Sequence, residues 1–290
     1  MRRSYSTKAQ FILSMTVFGT IALFVREIAL PSAEIALFRA VLAMLLLGAY
    51  LPTKRINPIK GIRRRDLLLL LCSGAAMGFN WILLFEAYRH TTVSLSTLCY
   101  YFAPVLLTLL SPLLFKERMR PKAIVCFLFS TLGVVLIVGV STSGGGNHLL
   151  GVLCGLGAAL FYTTVMLLNK SIRSVGGLSR TFLQFVAAVA VLTPYVALTG
   201  GFHLTALNGR GWIFLLIVGL VHTGLTYCLY FSSLWRLSGQ QAALLSYIDP
   251  LVAVLLSVTL LGEPITPLQI VGGALILGFS FLNELSPKTK

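Results

Sequence analysis

Residues 78–121 read GFNWILLFEAYRHTTVSLSTLCYYFAPVLLTLLSPLLFKERMRP, and residues 224–267 read GLTYCLYFSSLWRLSGQQAALLSYIDPLVAVLLSVTLLGEPITP. Laid over each other at an offset of 146 positions, they align without a gap. Gly78 falls on Gly224, Phe85 on Phe231, Leu98 on Leu244 and Tyr101 on Tyr247. Pro104 falls on Pro250, Ser111 on Ser257, Glu117 on Glu263 and Pro121 on Pro267. The chain is therefore read as two copies of one unit.

Composition says what surrounds them. The mean hydropathy is +0.90, with 57% hydrophobic and 11% charged residues over 290 positions. A soluble domain carries about 25% charged residues, so the solvent for most of this chain is lipid. The net charge of +15 does not point to nucleic acid, because the basic residues stand in short runs between apolar segments. Runs so placed are the positive-inside signal of a membrane protein. Cys72, Cys99, Cys126, Cys154 and Cys228 each lie within an apolar stretch, and none forms a CxxC pair. They read as small packing residues rather than a disulfide frame or a zinc site.

A helix needs about 20 apolar residues to cross the hydrocarbon core. Ten such spans are expected, near 9–29, 32–52, 66–88, 92–115, 121–140, 149–170, 178–199, 210–233, 238–262 and 267–285. The first, behind MRRSYSTKAQ, reads as an uncleaved span rather than a signal peptide. With these spans, nineteen Lys and Arg residues fall on one side, and only Arg26, Arg89 and Arg210 on the other. The basic side is the cytoplasm, so both termini are expected there, in a multi-pass protein of the cell (inner) membrane. Five spans per half is an odd number, so the second copy enters the membrane upside down. The fold class expected is an all-α integral membrane protein of ten transmembrane helices, arranged as two inverted five-helix repeats. The repeats are residues 1–140 and 149–290, with a Gly-rich linker at 141–148.

An ionisable residue inside the membrane is a functional candidate by default. Asp249 lies near the middle of span nine and immediately precedes Pro250, the pattern of an N-cap followed by the first helical residue. Two readings stay open for it: capping a restarted half-helix, and binding substrate or a proton. Its repeat partner is the neutral Ala103. Arg39 in span two either snorkels outward or pairs with an acid, Glu86 being the candidate. His222 reads as a packing histidine or a proton carrier. Tyr101 and Tyr247 are repeat-related and three residues before the repeated prolines, so they should face each other near mid-membrane. Aromatic walls suit a partly apolar or cationic ligand. Gly151, Gly155 and Ala159 give span six a small-residue ladder for close helix packing. Glu117 and Glu263 are expected to be structural, accepting N–H groups at the start of the following helix. No HExxH, GxSxG or phosphate-loop pattern is present, so no catalytic residue, metal or cofactor is expected.

The recurring Pro–Glu–Pro spacing, in Pro104–Glu117–Pro121 and Pro250–Glu263–Pro267, together with LFRAVLAMLLL around Arg39, resembles the EamA family of the drug/metabolite transporter superfamily. The likeness runs through both halves. It implies a central cavity, alternating access, and cavity-lining helices that bring Trp81, Tyr101, Tyr162, Tyr227, Tyr247 and Asp249 together as the substrate site. The function expected is a secondary transporter exporting a small metabolite, an amino acid or related amphipathic amine, driven by protons or by the substrate gradient itself. The rival is a lipophilic-cation drug exporter. An intramembrane enzyme lacks its catalytic cluster, and a sensor lacks a signalling domain. Oligomeric state is left open.

The topology makes a direct prediction. Single cysteines introduced at positions 142–147 label with a membrane-impermeant reagent from outside, and those at 57–61 do not. The reverse pattern contradicts the orientation.

Overall fold

The computed structural model of the chain describes residues 2–115, 121–141, 146–172, 174–234, 237 and 245–284. Among these, every regular element is helical: α1 (Arg2–Gly19), α2 (Ile21–Val25), α3 (Ser32–Thr53), α4 (Arg64–His90), α5 (Val93–Tyr100), α6 (Ala103–Phe115), α7 (Pro121–Ser141), α8 (Gly146–Ser171) and α9 (Gly177–Thr199). A short 3₁₀ turn then leads into α10 (Gly209–Leu216), a π-helical run (Ile217–Leu225), α11 (Thr226–Leu234), α12 (Ile248–Thr259) and α13 (Pro267–Glu284). Six helical stretches are long and apolar enough to cross a membrane. They are Thr7–Val25, Ser32–Thr53, Arg64–His90, His148–Ser171, Gly177–Thr199 and Gly209–Ser233. Four more, Val93–Leu107, Ile124–Leu136, Ile248–Thr259 and Pro267–Asn283, are apolar and shorter. Leu45, Leu68, Leu128, Leu153 and Leu255 are more than half exposed. An outer surface of bare leucine is at home in lipid and costly in water.

Local chemistry sets the helix ends. Thr92 Oγ1 accepts from Leu95 N at 3.2 Å, and Asn208 Oδ1 accepts from Gly211 N at 2.8 Å, so each caps the helix that follows it. Pro121 and Pro267 open their helices, where a missing N–H removes no bond. At Pro267 the cap is a reciprocal box: Thr266 N donates to Gln269 Oε1 at 2.9 Å, and Gln269 N to Thr266 Oγ1 at 3.2 Å. Glu263 therefore does not cap the following helix, contrary to expectation. Its carboxylate reaches a different helix, described below. Glu117 lies outside the described residues.

Pro104 and Pro250 act inside their helices. Neither can donate the backbone bond that would tie it to the turn before. The helix is interrupted at Tyr101–Phe102 in one case and at Tyr247 in the other, so both tyrosines stand at a break. Asp249 is not the cap of the restarted helix. Tyr247 occupies that position, and no side chain caps it. The carboxylate of Asp249, two residues into the helix, points elsewhere.

Packing crosses between the two halves of the chain: α4 lies along α8, α7 along α13, α3 along α9, and α1 along α11 and α12. Small residues set the separations. A Cβ at Gly74 would stand 2.4 Å from the carbonyl oxygen of Gln184, and one at Gly155 would stand 2.9 Å from Cys99 Cβ. The glycine face of α8 is thus taken up inside the bundle. The largest core cluster runs through Leu47, Phe85, Phe185, Leu192 and Val218, all fully buried.

Candidate functional site

A cavity of about 530 Å³ lies between α1, α3, α4, α8, α9, α11 and the two interrupted helices. It is within the size range of small-molecule sites. All six residues singled out from the sequence line it: Trp81, Tyr101, Tyr162, Tyr227, Tyr247 and Asp249. Tyr101 Oη donates to Asp249 Oδ2 at 2.6 Å, and the Tyr101 and Tyr247 rings face each other with centroids 6.4 Å apart. The wall is braced ring on ring: Tyr100 stacks on Tyr162 at 5.1 Å, Tyr227 meets Phe18 at 5.2 Å and Phe185 at 5.5 Å, and Phe185 meets Trp81 at 5.8 Å.

Arg39 lines the same cavity, and it does not pair with Glu86. Glu86 instead accepts from Ser32 Oγ at 2.6 Å and lies 3.0 Å from His90 Nε2, one turn from the end of α4. The guanidinium of Arg39 stacks on Trp81, 4.3 Å from the ring centroid, with Phe85 at 5.2 Å. Its Nε donates to Thr223 Oγ1 at 3.0 Å. The π-helical run makes that contact possible. There Thr223 Oγ1 donates back five residues to Val218 O at 2.7 Å, and the wider turn presents the hydroxyl oxygen to α3. Such widened turns recur at functional sites. Gly219 lets α3 approach, since a Cβ there would stand 2.4 Å from Leu42 Cδ1. His222, on the same run, is buried against Phe24, with Thr20 Oγ1 at 2.9 Å from its Nε2. It does not line the cavity and is a packing histidine.

Toward one end of the bundle the lining includes Asn169, Thr181, Gln184 and Tyr230. Gln184 Nε2 donates to Ser73 Oγ at 2.6 Å and to Asn169 Oδ1 at 3.0 Å. The opposite end is crossed by a polar knot. Arg26 pairs with Glu263 and also donates from Nε to Tyr88 O at 3.0 Å and from Nη2 to Thr91 O at 2.8 Å. The second oxygen of Glu263 accepts from Val93 N at 2.7 Å, capping the start of α5, and from Ser257 Oγ. Ser94 Oγ donates to Ser257 Oγ at 2.8 Å. At this same end Arg210 pairs with Glu27 at 2.8 Å, and Arg89 donates to Leu30 O. The three basic residues on the sparse side of the charge count are therefore all held in place. Among the described residues no cluster of three or more His, Cys, Asp and Glu side chains is placed to hold a metal ion.

The model of the EamA-like transporter family matches residues 9–139 and 149–284. The chain belongs to this family. It is 32% identical to the "Uncharacterized transporter YxxF" of Bacillus subtilis (strain 168) over 87% of this chain and 81% of that protein. A solved crystal structure superposes with a TM-score of 0.64 over 95% of this chain and 96% of its own, at 18% identity, a likeness of fold alone. The "Probable amino-acid metabolite efflux pump" of Salmonella typhimurium (strain LT2) is 25% identical over 60% of this chain and 61% of its own length. EamA-like chains are multi-pass membrane transporters, and so is this one.

The place of Arg39 in the cavity was not deduced from sequence. The available signal was that the arginine lies well inside an apolar span, where its charge needs a polar surrounding.

The knot predicts where stability resides. Glu263→Ala leaves the Val93 N–H and the Ser257 hydroxyl without their acceptor, at about 1–3 kcal/mol each, and takes from Arg26 one of its three partners. Thermal unfolding in detergent should therefore occur well below wild type for Glu263→Ala. Arg26→Gln should lose less, because Val93 and Ser257 keep their acceptor. Wild-type stability of Glu263→Ala contradicts the assignment.

Proposed function

We propose that the protein is a secondary transporter that exports small amphipathic amines, amino acids among them, by alternating access. The observation that carries this reading is Asp249. It is an acid well inside the bundle, bonded to Tyr101 and walled by aromatic rings, and it makes no ion pair among the described residues. A substrate ammonium fits there, held by the carboxylate and by ring faces that attract cations. The name of the Salmonella relative points to the same ligand class.

On this reading the chain crosses the membrane ten times as two inverted five-helix repeats, 1–140 and 149–290, with both termini in the cytoplasm. The family match over two successive stretches, the offset of 146 and the helix breaks at Tyr101 and Tyr247 support it. The cavity then reaches toward the cytoplasmic end, where Asn169 and Thr181 neighbour Lys170 and Arg180, and the Arg26–Glu263 knot closes the external end. Release outside requires that knot to open while the cytoplasmic end shuts. Proton exchange at Asp249 against the substrate amine is the coupling step. The lipophilic-cation reading draws on the same aromatic wall.

Reconstitution in proteoliposomes tests the role of Asp249. Asp249→Asn keeps the hydrogen bond to Tyr101 and the fold but removes the charge. A charge-assisted contact is worth about 1.5–3 kcal/mol, so amine flux driven by a pH gradient should fall tenfold or more, roughly. Wild-type rate and pH profile in Asp249→Asn contradict the proposal.

A further inference from the structure

Arg39 has more donors than the protein uses. A guanidinium carries five N–H bonds and keeps its charge at any physiological pH. Here Nε is spent on Thr223 and one ring face on Trp81. No other hydrogen bond or ion pair to Arg39 occurs among the described residues. The side chain is 4% exposed and lines the cavity. Its position is fixed from two sides, by the indole and by the hydroxyl that the π-helical run turns toward it. The fork of Nη atoms is left for whatever fills the cavity. A planar fork of this kind matches a carboxylate with two parallel bonds.

We infer that Arg39 is the receptor for a substrate carboxylate, and that with Asp249 it selects a zwitterion carrying an ammonium at one pole and a carboxylate at the other. The inference rests on the cavity being the substrate site, as proposed above, and narrows the ligand from amines in general to those with an anionic group. Arg39 and Asp249 form no ion pair with each other, and the rings of Tyr88, Tyr100 and Tyr227 share the wall with them. A ligand can therefore present its two charges to the two poles and its apolar side chain to the rings. A lipophilic cation would leave the guanidinium facing it unneutralised, at a cost in a low-dielectric site.

Equilibrium binding to the purified full chain in detergent decides this with matched triplets. One is phenylalanine, phenethylamine and 3-phenylpropanoate; the other is leucine, 3-methylbutylamine and 4-methylpentanoate. Within a triplet the apolar group is nearly constant and only the poles change. In at least one triplet the zwitterion should bind about ten- to a hundredfold more tightly than either monopole, the range of one charge-assisted pair. Arg39→Gln should remove the zwitterion's advantage over its amine and should not weaken the amine. Arg39→Lys, which keeps the charge without the fork, should fall between. Asp249→Asn should weaken zwitterion and amine alike and spare the carboxylic acid. If the amine binds as tightly as the zwitterion in wild-type protein, the inference is overturned while the amine-transporter reading stands. The wild-type ranking needs no variant to fold. If Arg39→Gln weakens amine and zwitterion equally, Arg39 only holds the π-helical run in place and the inference falls. Failure of all six ligands to bind wild-type protein overturns both readings.

Discussion

A full charge midway along a membrane helix has to be surrounded by something other than lipid, and two such charges shape this molecule. Placing one at the bilayer centre costs roughly 2.5–3.5 kcal/mol even by the mildest scales. Arg39 on α3 and Asp249 on α12 both satisfy the requirement by facing one interior cavity. The two helices come from opposite halves of the chain, so the halves must close around a shared space. The exterior can then carry bare leucine, and the cavity gathers Arg39, Asn80, Thr97 and Asp249 on its lining.

The cavity keeps its shape because its walls are stiff. The rings of Trp81, Phe185, Tyr227 and Phe18 brace one another in sequence, and the glycines of α4 and α8 hold their helices at near-backbone contact. The ends differ in construction. One end is tied across the halves by Arg26, Glu263, Ser257 and Ser94, with the start of α5 capped from the second half. The lining residues extend toward the other end instead. A bundle tied at one end and hollow toward the other has the asymmetry that a two-state transporter needs in either of its states.

Much of this was legible in the residues, and the boundary has a physical reason. Repetition and hydropathy act locally, so most of the helix positions and the facing of Tyr101 and Tyr247 followed from spacing, and a helix restart at Pro250 was one of two open readings. The apolar segments expected from sequence are largely helical where they are described, and six helical stretches are long and apolar enough to span by length and composition. Pair identities were less accessible. Asp249 was open between a cap, because Asp–Pro is a cap pattern, and a binding residue; its carboxylate is bound by Tyr101, 148 residues away, and does not cap. Arg39 was expected either to snorkel outward or to pair with Glu86, yet it meets Thr223, 184 residues away, through a π-helical run that no spacing rule announces. Glu263 was assigned to the helix after it, yet Thr266 and Gln269 already cap that helix, which frees the carboxylate to reach Val93 across 170 residues. In each case the residue type was informative and the partner was set by tertiary packing.

The central claim, that the cavity at Asp249 is where substrate binds, is tested most directly by chemical protection. A hydrophobic carbodiimide adds to a protonated carboxyl in an apolar site and leaves a stable acylurea that mass spectrometry locates by residue. Asp249 should be modified in the purified protein, and a transported amine should suppress that modification in proportion to its occupancy, without protecting exposed carboxylates such as Glu27. Modification of Asp249 that proceeds at the same rate under saturating transported substrate would contradict the claim and place the binding site elsewhere.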